Sequence, residues 1–142
     1  MLKSLSLLMM GVVLLSISSG CARLEAEEKS IQLQDLTRAY RKAIRWSEFE
    51  VAKDYIRHRD GSVFHYDKAF FESIKVTSME ISKRDVSMEN LLATVTAEIS
   101  YYSIDQGSVR TIEDVQLWWY DEETERWYID GEFPAFAQGL SN

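Results

Sequence analysis

Leu92-Ala93-Thr94-Val95-Thr96-Ala97-Glu98-Ile99-Ser100-Tyr101-Tyr102 is the stretch that decides the fold. Val95, Ala97, Ile99 and Tyr101 fall on one set of alternate positions, and Thr94, Thr96, Glu98, Ser100 and Tyr102 fall on the other. Successive strand side chains point to opposite faces, so this period of two predicts a strand with one buried and one open face. Downstream, 109–120 and 125–130 read as further strands, rich in β-branched and aromatic residues, and 74–81 reads as a looser one. Asp105-Gln106-Gly107-Ser108 and Asp121-Glu122-Glu123-Thr124 are the polar turns that hairpins require.

Ahead of Ser73 the period is helical. Leu33, Leu36, Tyr40, Ala43 and Ile44 form one stripe, with Arg38, Arg41, Lys42 and Arg45 between them. Ser47-Glu48-Phe49-Glu50 has the form of a capping box, with Trp46 placed to staple against Val51. A second helix over 48–58 would bury Val51, Ala52, Tyr55 and Ile56. Arg57, His58 and Arg59 would close it, with Gly61 just beyond. The 67–72 stretch suits one more short helical turn. Helices first and hairpin-linked strands after give an α+β domain, with helices on one face of an antiparallel sheet of about four strands.

Composition excludes several classes. The 142 residues suit one domain, and plentiful aromatic and β-branched residues argue against disorder. A net charge of −7 argues against a nucleic-acid partner. A single Cys excludes an intrachain disulfide framework and any all-thiolate metal site.

Residues 1–20 read as an export signal: basic Lys3, an apolar run over 5–15 and small residues over 16–20. The run is well short of the ~20 apolar residues that span a bilayer. Its end, Ile17-Ser18-Ser19-Gly20-Cys21, resembles the lipobox of bacterial lipoproteins and departs from it at Ser18, where Leu is usual. That resemblance implies cleavage before Cys21 and lipidation of its thiol. The stretch that follows within 21–30 is polar with few apolar residues to bury, and reads as a tether or as a continuation into the first helix. In such lipoproteins an Asp after the cysteine favours inner-membrane retention. Ala22-Arg23-Leu24 therefore implies an outer-membrane anchor facing the periplasm. Two or three acyl chains would hold stably where one binds reversibly. Cleavage would remove Lys3 and no acidic residue, leaving the domain more negative and mildly repelled by anionic lipid.

The helical segment 33–44, the Trp46-Ser47-Glu48-Phe49 turn and the stretches 115–120 and 126–131 together resemble the NTF2-like (cystatin-like) superfamily, over about 31–136 of a domain expected to run 31–142. The resemblance implies N-terminal helices packed on a bent sheet, enclosing a cone-shaped cavity. Some members are isomerases or dehydratases with an inward Asp or His and Tyr donors. Tyr40, Tyr55, Tyr101 and Asp114 are the residues that could point inward in this way, but the acids read equally as edge or solvent-face groups and no catalytic residue is assigned. Asp114 and Glu113 must face opposite ways, and the sequence leaves open which is inward. Members of the superfamily also commonly dimerise through the open face of the sheet.

His58 and His65 have no metal-ligand spacing and read as a helix-end and a loop histidine in solvent. No nucleophile elbow or phosphate-binding glycine loop occurs, and no cofactor or metal is expected. Trp118, Trp119, Trp127 and Tyr128 form the densest aromatic cluster and the expected interaction surface, for a protein partner or a second copy. Adjacent Trp118 and Trp119 must lie on opposite faces. The competing expectation has Phe133-Pro134-Ala135-Phe136 covering them. The expected function is a membrane-anchored, non-enzymatic binding or scaffold module of the cell envelope. The alternative is a small apolar-ligand binder or isomerase-like enzyme.

Overall fold

The computed structural model describes the backbone of residues 2–137 and the side chains of residues 20–137. Helix α1 (Leu2–Arg45) leads into α2 (Phe49–Ala52) and a 3-10 turn at Lys53–Tyr55. An irregular strap over 57–67 and helix α3 (Lys68–Ser73) follow. Four strands complete the fold: β1 (Ile74–Ser87), β2 (Leu92–Ser103), β3 (Arg110–Asp121) and β4 (Arg126–Ile129). They form one antiparallel meander in the order β1-β2-β3-β4, an α+β arrangement.

The β2 alternation holds along its length. Ala93, Val95, Ala97, Ile99 and Tyr101 are buried, and their neighbours face away from the core. On α1, Leu33, Thr37, Tyr40, Ala43 and Ile44 recur at three- and four-residue spacing and pack on the sheet. Each fully buried Leu or Ile contributes roughly 1.5–3 kcal/mol. The 21–30 segment, read as a tether or as a continuation into the first helix, lies within α1. Lys29 there accepts the indole N–H of Trp127 on its carbonyl (2.9 Å), and Gln32 donates to Glu125 O (3.0 Å).

The basic face of α1 is spent on the edge of the sheet. Arg41 Nε donates to Met79 O (2.8 Å), and Arg45 Nη1 donates to Val76 O (3.0 Å). An edge strand exposes unpaired carbonyls that could template association, and two guanidiniums cover these. Register shifts at Val76/Ser78 and Ile81/Lys83 further break this edge.

The second helix is shorter than the sequence suggests. Glu48 N–H donates to Ala43 O (2.8 Å) and Ser47 N–H to Ile44 O (2.9 Å), with Ser47 at φ 56°. This is a Schellman ending of α1, with Ser47 where glycine is usual. Ser47 thus terminates the first helix instead of capping the second. Its hydroxyl accepts Val76 N–H (2.9 Å), and the expected box with Glu50 does not form. The Trp46–Val51 staple is absent too, since both side chains are exposed. Helical structure stops at Tyr55. Ile56 instead bridges Ile129 in parallel, and Arg57 N–H donates to Ile129 O (2.9 Å). The expected helix end at 57–59 therefore runs along β4 only as far as Arg57 and then turns, with Gly61 N–H donating to His58 O (3.1 Å).

Candidate functional site

The helices cover one face of the sheet, and the open face carries the surface of interest. Along β3, Val115 and Leu117 point outward, 62% and 37% exposed. They lead to half-buried Trp119, whose ring lies 6.1 Å from that of Tyr128 on β4. Trp119 is oriented by its indole N–H, which donates to Arg57 O (2.9 Å). The Arg57 guanidinium lies 5.2 Å from the Tyr128 ring centre and 2.9 Å from the Asp121 carboxylate. That of Arg59 lies 6.0 Å from the Trp119 ring.

Of the four aromatics expected on an interaction surface, two face inward. Trp118 and Trp127 are 0% exposed. Their register partners Ile129 and Tyr120 place them on the helix-covered face, whereas Trp119 and Tyr128 pair with each other on the outer one. The 133–136 stretch does not cover this cluster. Phe133 and Phe136 pack on Phe49 and Phe71 instead, and Tyr101 hydroxyl donates to Phe136 O (2.8 Å).

The inner face settles the Glu113/Asp114 ambiguity. Asp114 is inward and partly buried, in line with Gln116 and Trp118, and Glu113 is exposed. Gln116 Nε2 donates to Asp114 Oδ2 (2.8 Å), and Trp118 Nε1 donates to Gln116 Oε1 (3.1 Å). Burial pushes the Asp114 carboxyl above the usual carboxylate range, against the pull of Gln116. Tyr40 is pushed well above the ordinary phenol value by its own burial and then by the Asp114 charge. The candidates Tyr40, Tyr101 and Asp114 therefore do share the inner side. The space among them is packed, with Tyr40 set edge-on to Trp118 at 6.0 Å and to Tyr55 at 5.8 Å.

Two polar clusters hold the strap and were not read from the sequence. Glu50 pairs with Lys53 (2.6 Å) and Lys68 (3.5 Å) and accepts the Tyr66 hydroxyl. His58 is not a solvent-exposed helix end but a mostly buried side chain. Its Nδ1 lies 3.5 Å from Asp130 and its Nε2 lies 3.5 Å from Glu132. His65 is exposed. Among the described residues, no group of three or more His, Cys, Asp or Glu is placed to hold a metal ion.

Cys21 is exposed on α1 as a free thiol. The rest of the expected lipobox, Ile17 to Ser19, and the apolar run before it have side chains outside the described residues. Among the described residues no helix is long and apolar enough to cross a membrane. One and two helical turns beyond Cys21, Glu25 and Glu28 join Glu122 and Glu125 in a groove of about 420 Å³. Compared with protein-family models, with curated proteins and with solved structures, the chain finds no match in any of the three.

Proposed function

We propose that the protein is a lipoprotein of the bacterial cell envelope. It is anchored through Cys21, the only cysteine of the sequence, and works by binding through the open face of its sheet. The observation that carries the binding half is the contrast between the two faces. The inner face is filled by Tyr40, Tyr101, Trp118, Trp127 and Phe136, whereas the outer face leaves Val115 and Leu117 in solvent beside Trp119 and Tyr128. Exposed apolar groups beside oriented aromatics are the usual anchors of a protein contact. The anchoring half rests on the lipobox resemblance and on Cys21 lying exposed ahead of Leu33, the first buried residue of α1 among the described side chains. The helices-on-sheet order remains in keeping with an NTF2-like domain. The Glu25, Glu28, Glu122 and Glu125 groove beside the anchor would hold the domain off anionic lipid. An outer-membrane position facing the periplasm follows from Ala22 after the cysteine.

The test is palmitate labelling and membrane fractionation of wild-type and Cys21→Ser protein in a Gram-negative host. Label and membrane association that both depend on Cys21 support the anchor. Unlabelled wild-type protein that fractionates away from membranes overturns it.

One observation favours a second reading, proton transfer in an apolar interior: Asp114 is inward, desolvated and electrostatically coupled to Tyr40. It requires the packed space around Trp118 to open for a substrate. Binding of a hydrophobic fluorophore that Trp118→Phe or Asp114→Asn alters would support it.

A further inference from the structure

We infer that an extended, basic segment of a partner protein adds a strand to the open edge of β3 over 111–115, in line with β4. The inference rests on the binding reading above and names the partner's chemistry and the way it is held. Strand β3 runs for 12 residues, but β4 pairs only with its 118–121 end. Backbone bonding alternates sides along an antiparallel strand. Tyr120 N–H donates to Leu91 O on the β2 side (3.1 Å), and Leu117 O accepts Asp130 N–H on the β4 side (2.8 Å). Even positions of β3 therefore face β2, and odd positions face away from it. Thr111, Glu113 and Val115 direct their N–H and C=O groups to that outer side, and among the described residues none of these groups has a partner. The chain after Asp130 leaves the ladder, and Phe133 packs on Phe49 and Phe71 instead.

The opposite edge of the sheet is defended and this one is not. On β1, Arg41 and Arg45 cover the carbonyls of Met79 and Val76, and two register shifts break the strand. The β2–β3 ladder runs from Tyr101 and Arg110 to Leu92 and Trp119 in one register, and 111–115 holds no proline. Unpaired amides in regular register are a template for an added strand. Charge specifies that strand. Exposed Glu113 stands directly opposite exposed Glu98 on β2, and neither has a cation within ion-pair distance among the described residues. Like charges directly opposite each other destabilise a sheet, and a Lys or Arg set opposite Glu113 by the added strand relieves them. Beside exposed Val115 the same strand is favoured with an apolar residue. Two copies of this chain paired antiparallel over 111–115 would set their Glu113 side chains opposite or diagonal to each other, so the partner is an unlike chain.

The test uses the full chain in detergent and the capped peptide Thr-Val-Thr-Lys-Thr-Val-Thr, which puts Val, Lys and Val on one face. Two controls are its analogue with Glu for Lys and its analogue N-methylated at Val, Lys and Val, where the ladder N–H groups are lost. The Lys peptide should slow hydrogen exchange at the Thr111, Glu113 and Val115 amides, read by nitrogen-15 NMR. It should bind about tenfold tighter than the Glu analogue, and the N-methylated analogue should not bind. Glu113→Lys should reverse the preference between Lys and Glu peptides. Val115→Pro removes an edge N–H that the β2 ladder does not use and should abolish binding. Circular dichroism checks the fold of both variants, and Glu113→Lys carries the test if the proline variant unfolds.

Equal binding of the N-methylated analogue overturns strand pairing, and equal binding of the Glu analogue overturns the basic partner. Edge amides already protected in the free monomer, a dimer that protects them mutually, or no binding by any peptide also overturns the inference. The binding reading is judged separately. A peptide that shifts the Trp119 indole while the edge amides exchange freely overturns only the edge. Edge protection that Trp119→Ala leaves unchanged supports the edge and removes the aromatic anchor from the wider reading.

Discussion

The Ser47 hydroxyl accepts the backbone N–H of Val76 at 2.9 Å, tying the end of α1 to the edge of β1. Ser47 does this from a left-handed conformation, φ 56°, which costs a non-glycine residue of the order of 1 kcal/mol. The strain is offset by the satisfied amide. Ser47→Ala keeps the strain and strands the Val76 N–H, so it should destabilise by about 1–3 kcal/mol in urea unfolding. Ser47→Gly relieves the strain while losing the same acceptor, and should cost less than Ser47→Ala. Equal costs for the two would show that the backbone conformation contributes nothing.

The same residue shows where the sequence was legible. The β2 alternation and the Leu33–Ile44 stripe are periodic patterns whose burial is decided by the side chains themselves, and both read through. Ser-x-x-Glu at 47–50 is a local pattern that fits two structures equally well, a cap or a helix ending. The choice was made by Val76, 29 residues away. Ile56 likewise fits the helical spacing of Val51, Ala52 and Tyr55, but pairing with Ile129 along β4 gives its backbone a better partner. Glu98 stands opposite Glu113 because the β2–β3 ladder pairs Tyr101 with Arg110, whereas a turn symmetric about Asp105–Ser108 would have set Glu98 opposite Val115.

Trp127 fixes α1 to the hairpin end of the sheet through its indole N–H and the Lys29 carbonyl. Trp127→Phe keeps most of the packing and removes the hydrogen bond, a loss of about 1 kcal/mol. Trp127→Ala adds a cavity and should cost roughly 3–5 kcal/mol. Hydrogen exchange should then accelerate selectively in the helix around residues 25–32 in the Phe variant. Unchanged exchange there would mean that the helix is held by Leu33 and Gln32 alone.

Glu50 sets a pH dependence for the strap. Hydrogen bonds from Lys53 and then Tyr66 hold its carboxyl down to about 2. A depressed carboxylate contributes stability that is complete above its ordinary pKa and is lost as pH falls through the folded value. The strap should therefore stay docked through mild acid and loosen only toward pH 2. Tyr66, raised to about 12 by desolvation and then by Glu50, contributes the opposite limb, present below the ordinary phenol value and lost as pH rises through 12. Carbon-13 NMR of the Tyr66 ring reads both. In Glu50→Gln its titration should move part of the way back toward 10, because desolvation remains.

Asp114 is a destabilising charge at neutral pH. Burial raises its carboxyl pKa, so its favourable contribution is present below the unfolded value and lost as pH rises through the folded one. Asp114→Asn keeps an oxygen to accept from Gln116 and removes the buried charge. The variant should melt a few degrees higher than wild type at pH 7, with the difference shrinking toward pH 3, where both side chains are neutral. A gain that persisted undiminished into acid would be a packing effect, and a loss at pH 7 would mean that the Asp114 carboxylate is itself needed to hold Gln116 and Trp118 in line.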